Sequence, residues 1–299
     1  MSPRVSVVVA ARDATATLAE TLASIRAQTY RDCEVVLVDD GSTDGTAELA
    51  RALLPEVRVV RHEVATGPAG ARNHGAREAR GELLATLDAD DAWLPEYLER
   101  QVARLDATAA AAVCCDAHVR RGDGPLEPPT FAGRVGLADP ITLSSLLRTN
   151  TVFTSVVMVR AVFLGLGGYA EDLVHGEDFD LWLRMTAAGH AIAVNREPLA
   201  VYRLRADGLT ADTLRVSRST RAVYRRALAR GGLTRGQRRI ARRQARLHGL
   251  NAARAAPPAS AAGRAALLAR SALVAAEHPE RWRGWLRAGP RPAGPGRHA

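Results

Sequence analysis

The stretch "VSVVVAARDATATLAETLASIRAQTYRDCEVVLVDDGSTDGT", Val5 to Thr46, decides the fold class. Its β-branched apolar run, Val5 to Ala11, gives way to a pattern with Leu18, Leu22 and Ile25 at helical spacings. A second apolar run, Cys33 to Asp40, closes on two aspartates and Gly41, where a glycine permits a tight turn. Short apolar runs that alternate with amphipathic helices predict a parallel sheet covered on both faces. The alternation continues through "TAELARALL" (helix), "VRVVRH" from Val57 to His62 (strand), "AGARNHGAREAR" from Ala69 to Arg80 (helix) and "ELLATLDAD" (a fourth strand).

In such sheets ligands bind beyond the carboxyl ends of the strands. The polar clusters "VDDGSTDGT" and "LDADDAW" both fall there, after the second and fourth strands. Further along, Ala109 to Val119, Asn150 to Arg160 and "AIAVNREPLAVYRLR" read as strands, separated by the Gly/Pro-rich loop "RGDGPLEPPTFAGR". Phe179, Trp182 and Met185 share one face of a helix that ends near Gly189, so Trp182 is read as a core residue, with an apolar face toward a sugar ring as the alternative. Beyond Leu209 the pattern is helical, and the last residues, 286–299, read as a disordered tail.

Charge divides the chain. All 41 basic residues are arginine. The absence of lysine excludes a P-loop lysine or a Schiff base. Residues 206–299 hold 20 arginines and four acids, while residues 1–205 hold 21 arginines and 28 acids. The reading is a catalytic unit over 1–205, a basic helical extension over 206–285 and the tail. Cys33, Cys114 and Cys115 have no disulfide or metal spacing, and the adjacent pair is expected on opposite faces of a strand. With no signal-like start and no apolar run of membrane-spanning length, a reducing, cytoplasmic setting is expected.

"VSVVVAARD…VDDGSTDGT", "GPAGARNHGAREARGELLATLDADDAWLP" and "GGYAEDLVHGEDFDLWLRM", in that order, resemble the motifs of the family 2 glycosyltransferases. The resemblance covers about residues 4–205 and implies the GT-A fold, a Rossmann-like, mostly parallel α/β sheet with helices on both faces. To this the present chain adds the all-helical extension. It also implies a nucleotide-sugar donor, a divalent metal and inversion at the anomeric carbon. A sugar diphosphate carries negative charge where it departs, and Mg²⁺ or Mn²⁺ with one or two carboxylates is a way to neutralise it without lysine.

By this resemblance Asp90 contacts the metal, with Asp88 aiding metal or ribose, and Asp91 helps or caps the following helix. Asp39 and Asp40 read the base and ribose, Ala10 lets the nucleotide approach, and Arg72 serves the base or phosphates. Relatives carry Pro-Thr-Tyr-Asn where this chain has "AARD", so the contacts of that loop differ. Asp178 is the general base, with Glu177 or Asp180 in reserve, and Arg184 faces phosphate or acceptor. Asp44 is read as a helix cap, and His62 and His74 as supporting residues rather than ligands. The acceptor is a sugar or lipid-linked sugar; the absence of Gln-x-x-Arg-Trp and of membrane spans points to single-sugar transfer in cell-surface polysaccharide or glycolipid synthesis. The arginine-rich helices suit peripheral membrane contact, and no nucleic acid is expected. The alternative is a non-catalytic or nucleotidyltransferase-like sugar-nucleotide binder with a basic interaction tail. A dinucleotide oxidoreductase is disfavoured because no GxGxxG follows the first strand.

Overall fold

The computed structural model describes residues 2–205, 208 and 211–256. The expected helical and tail readings beyond residue 256 lie outside these. The opening alternation folds as β1 (Val5–Ala11), α1 (Leu18–Arg26), β2 (Cys33–Asp39), α2 (Thr46–Leu53), β3 (Arg58–Arg61), α3 (Gly67–Glu78) and β4 (Leu83–Asp88). Next come β5 (Ala92–Trp93), α4 (Tyr97–Thr108), β6 (Ala112–Arg121), β7 (Leu126–Glu127), α5 (Phe131–Val135) and α6 (Leu143–Arg148). The chain continues through β8 (Val156–Val159), α7 (Arg160–Gly165), α8 (Glu177–Ala187), β9 (Ile192–Leu204), α9 (Thr213–Arg230) and α10 (Arg235–Ala255).

The sheet order is β3-β2-β1-β4-β8-β6-β9-β5, with β7 on β6. β1 pairs in parallel with β2 and β4, β2 with β3, and β6 with β9. The sheet is therefore mostly parallel, and β8 departs from the expected pattern by running antiparallel to both β4 and β6. The reason is connectivity. The chain leaves β6 at its carboxyl end, crosses through α5 and α6, and returns down the slot between β4 and β6. β9 is one long strand whose register against β6 shifts around Asp116.

Alternate side chains separate two cores. Val8, Val36, Val38 and Cys114 face the layer of α3 and α8, whereas Val7, Val9, Leu37 and Cys115 face α1 and α4. The two cysteines thus point to opposite faces as expected, and all three are free thiols. Val223 and Tyr224 of α9 and Ala241 of α10 belong to the α3/α8 core, so the basic helices share its packing. Trp182 is fully buried in the same core.

An ion cluster fastens α8 to α9. Asp180, fully buried, accepts from Arg184 Nε at 2.8 Å and from Arg230 Nη2 at 2.6 Å. Removing one member of a buried charge cluster leaves the others uncompensated. Asp180→Ala is expected to cost about 3 kcal/mol of unfolding free energy in urea titration; a loss below the error of that titration would show that the cluster does not hold the helices together.

Candidate active site

The carboxyl ends of β1, β2 and β4 and the start of α8 enclose a cleft of about 880 Å³. Ala10, Asp40, Arg72, Asp88, Asp90, Glu177 and Asp178 all line it. Residues from seven separate sequence positions therefore meet in one place. Asp39 is buried beneath, outside the lining, where its Oδ1 accepts from the Ser42 amide at 2.9 Å. Its Oδ2 lies 3.6 Å from Arg61 Nε and accepts no hydrogen bond from the described residues.

Asp40 ties the end of β2 to the start of α3. It accepts from the Thr66 amide (2.8 Å), the Thr66 hydroxyl (3.0 Å), the Gly67 amide (2.8 Å) and His62 Nδ1 (2.7 Å). Burial pushes its pKa up, but these donors outweigh burial and leave it below the ordinary value. His62 Nε2 meets His74 Nδ1 at 2.6 Å, so both imidazoles support the aspartate. The N-cap of α2 is Gly45, not Asp44 as expected. Asp44, one residue earlier, ties the helix start to the β1–α1 loop, accepting from the Thr46 amide at 3.0 Å and hydroxyl at 2.6 Å and from the Thr15 amide at 3.0 Å.

Arg72 occupies the centre. Its Nε and Nη2 donate to Asp88 Oδ1, its Nη1 donates to Glu177 Oε1 at 2.8 Å, and its guanidinium lies 5.6 Å from the Tyr169 ring centre. Burial alone would lower the arginine's pKa; Asp88 and Glu177 more than reverse that and hold it charged. Tyr169 is itself pinned by Asn73, whose Nδ2 donates to the Tyr169 carbonyl at 2.9 Å and whose Oδ1 accepts from its amide at 2.8 Å. A Cβ on Gly168 would collide with that Oδ1, and its φ of +68° is one that glycine tolerates. The "GGY" sequence is therefore a brace for the arginine.

Asp88 ends β4, while Asp90 lies in the turn after it. That turn brings Asp90 into the cleft beside Asp88. Burial, with the neighbouring Asp88 charge, pushes the Asp90 carboxyl up to about 6. Asp91 does not cap α4; its Oδ1 accepts from the Arg203 amide of β9 at 2.9 Å, and Oδ2 is buried without a partner among the described residues. Burial and the two adjacent aspartates raise Asp91 well above the ordinary range. No group of three or more His, Cys, Asp or Glu side chains forms a metal-ligand set among the described residues. The Asp88–Asp90 pair nevertheless fits an oxygen-seeking divalent ion, because such ions take one or two carboxylates and complete their shell with substrate phosphates and water. A cation there would also relieve the repulsion that raises Asp90.

Gly176, at φ +78°, turns the chain into α8 and sets Glu177 and Asp178 in its first turn, where the helix dipole favours negative charge. Asp178 Oδ1 accepts from the Phe179 amide at 2.6 Å. Burial first, then the Glu177 charge, push its carboxyl up to about 7. Two expected roles, those of Asp180 and Arg184, change. Asp180 faces the core cluster and cannot serve as a base. Arg184 donates to the carbonyls of Leu166 and Gly168, each at 2.6 Å, and so fastens the loop before α8 rather than meeting a ligand.

Some contributors carry no signal in sequence. Arg203, buried on β9, donates to the Asp90 carbonyl at 2.9 Å, to the Gly122 carbonyl at 2.9 Å, and to Glu20 and Asp123. Of the two arginines in the strand pattern "AVYRLR", Arg203 and Arg205, nothing in the pattern marks the first as an inward charge. The far wall of the cleft comes from the end of α6, from α9 and from α10, including Arg148, Thr220, Gln244 and His248.

A family model described as Glycosyl transferase family 2 matches residues 6–155. The chain belongs to this family. Among curated relatives, this family 2 member is 35% identical to the succinoglycan biosynthesis protein ExoU of Rhizobium meliloti (strain 1021), over 62% of this chain and 57% of that protein. The chain thus spans a little over half the length of ExoU. It is 26% identical to an Escherichia coli protein over 64% of this chain and 73% of that one. That protein is named UDP-Glc:alpha-D-GlcNAc-diphosphoundecaprenol beta-1,3-glucosyltransferase WfgD. Among solved structures, the mannosyltransferase PcManGT from Pyrobaculum calidifontis, in complex with GDP-Man and Mn²⁺, matches with a TM-score of 0.67 at 24% identity, over 96% of this chain and 85% of that one. That likeness shows the fold, which is GT-A-like and includes the C-terminal helices.

The raised Asp178 carboxyl has a consequence for stability. Between its ordinary value of 3.8 and about 7, the folded protein keeps a proton that the unfolded chain has released. Stability therefore falls as pH rises through that window. Asp178→Asn is expected to raise the thermal midpoint relative to the parent at pH 8 and to leave it unchanged near pH 4; the same gain at both would place the proton elsewhere.

Proposed function

We propose that this family 2 protein is a metal-dependent, inverting glycosyltransferase. It moves a single sugar from a nucleotide-diphosphate sugar to a hydroxyl of a sugar or lipid-linked sugar acceptor, in the synthesis of a cell-surface polysaccharide or glycolipid. One observation carries the reading: Arg72 bonds at once to Asp88, on the donor side, and to Glu177, next to the carboxyl poised near neutrality.

The nucleotide lies over the ends of β1 and β2, with Ala10 giving close approach and Asp40 at the cleft wall serving base and ribose, while Asp39, buried beneath, holds the turn through the Ser42 amide. The diphosphate lies at the end of β4. There Asp88 and Asp90 would hold Mg²⁺ or Mn²⁺, which supplies positive charge for the departing diphosphate. Arg72 orients Asp88 and adds its own charge on the same side. Asp178 accepts the proton of the acceptor hydroxyl as that oxygen bonds to the anomeric carbon. The bond from that carbon to the diphosphate oxygen breaks, and the nucleoside diphosphate leaves with the electron pair. Attack opposite the leaving group inverts the centre. A carboxyl titrating near 7 is well matched to this task, since a base works best near the ambient pH. A lipid-linked acceptor is favoured by the name of the WfgD relative, which specifies a diphosphoundecaprenol substrate.

Thermal stabilisation by a panel of nucleotide sugars, with and without Mg²⁺ or Mn²⁺, tests donor binding. The parent and Asp178→Asn are both expected to show metal-dependent stabilisation by one donor, and Asp90→Ala to show none. Transfer by Asp178→Asn should drop by roughly 100-fold or more. Transfer at the parent rate would remove Asp178 as the base. In the parent, the transfer rate should rise with pH and level off above about 7, as Asp178 loses its proton.

A further inference from the structure

α10 has two unlike faces. At about 100° per residue, Arg235, Arg238, Arg239, Arg242 and Arg246 fall within an arc of roughly 100°. All five are exposed, and they alone line a groove of about 370 Å³. The opposite face is fixed to the protein. Gln244, buried, donates to the Arg148 carbonyl at 2.8 Å, and Gln237 Nε2 reaches Ser144 Oγ at 3.2 Å. The helix therefore cannot turn its arginines inward.

Residues 235–255 contain no acid. Among the described residues, Arg235, Arg238, Arg239 and Arg242 have no carboxylate within ion-pair range, unlike Arg226 with Asp172 or Arg230 with Asp180. Like charges one turn apart oppose helix formation, so these four arginines cost the helix something that no carboxylate among the described residues offsets. Its complement is a surface dense in phosphate, for which the guanidinium fork is suited.

We propose that this face of α10 docks on the anionic phospholipid headgroups of a membrane. The choice of a lipid surface among polyanions rests on the proposed reading of a lipid-linked acceptor. It is also favoured by composition, since α10 carries no Phe, Tyr or Trp on which bases could stack. Within its arc the stripe carries no large apolar side chain, so the contact is electrostatic adsorption without insertion. Gln244 and His248 of the same helix line the cleft, which places the acceptor wall about one helix diameter, ~10 Å, from the headgroups.

Sedimentation of the whole 299-residue chain with vesicles tests this without donor or acceptor. Phosphatidylcholine vesicles containing phosphatidylglycerol should carry the protein down at low salt and release it at high salt, while phosphatidylcholine alone should not bind it. The triple change Arg238→Gln, Arg239→Gln and Arg242→Gln should weaken vesicle binding on the order of 100-fold, with thermal midpoint and transfer to a soluble acceptor unchanged. No binding to anionic vesicles would overturn the proposal. So would parent-like binding by the triple variant, or tighter binding of the parent to duplex nucleic acid at equal salt. Because the readout is physical association, loss of transfer with vesicle binding intact would count against the proposed activity and leave the docking face standing.

Discussion

The Arg72 guanidinium is held by three elements that are far apart in sequence. Its helix, α3, starts where Asp40 gathers the Thr66 and Gly67 amides; its two ends meet Asp88 of β4 and Glu177 of α8; and Tyr169 lies beneath it. A buried arginine is tolerated only when its charge is matched and its donors are satisfied. That requirement fixes where α8 begins relative to the sheet, and hence where Asp178 sits. The Asn73–Tyr169 clamp and the Arg184 bonds to Leu166 and Gly168 maintain the same spacing from behind.

Around that fixed charge, acid is deliberately crowded. Asp88, Asp90 and Asp91 follow one another at the cleft edge, and Glu177 and Asp178 stand side by side at a helix start. Burial penalises their charged forms, and repulsion between neighbours adds to the cost, which is why the Asp90 and Asp178 carboxyls are pushed above an ordinary aspartate. The two raised groups suit different tasks. In the reading proposed above, Asp90 would serve a cation, and Asp178, at a helix start with its carboxyl pushed up to about 7, would serve as the proton acceptor.

Much of this was legible in the sequence, for a physical reason. Periodicity reports which face of an element is buried, so the alternation of β1 through β4 with its helices was plain, and so were the clusters at the strand ends. What periodicity does not report is direction or partner. β8 looks like any apolar strand, and only the return from α6 makes it antiparallel. Asp180 and Asp178 occupy the same first turn of α8, yet one faces Arg230 in the core and the other the cleft. The sequence "DADD" likewise does not disclose that Asp91 turns away to meet β9, or that Arg203 waits there. Short elements such as β5, β7 and α5 lie below the length at which a pattern can establish itself.

The α9–α10 pair adds a second unit of logic. Its inner face completes the core and the far wall of the cleft, and its outer face concentrates positive charge against an otherwise acidic body. The central claim, however, is that donor side and base side form one electrostatic array through Arg72. A double-mutant cycle on transfer kcat/KM, using Asp88→Asn and Glu177→Gln, measures that link. The account predicts coupling on the order of 1 kcal/mol or more, which disappears when the cycle is repeated in an Arg72→Gln background. Additive effects with Arg72 in place would contradict it.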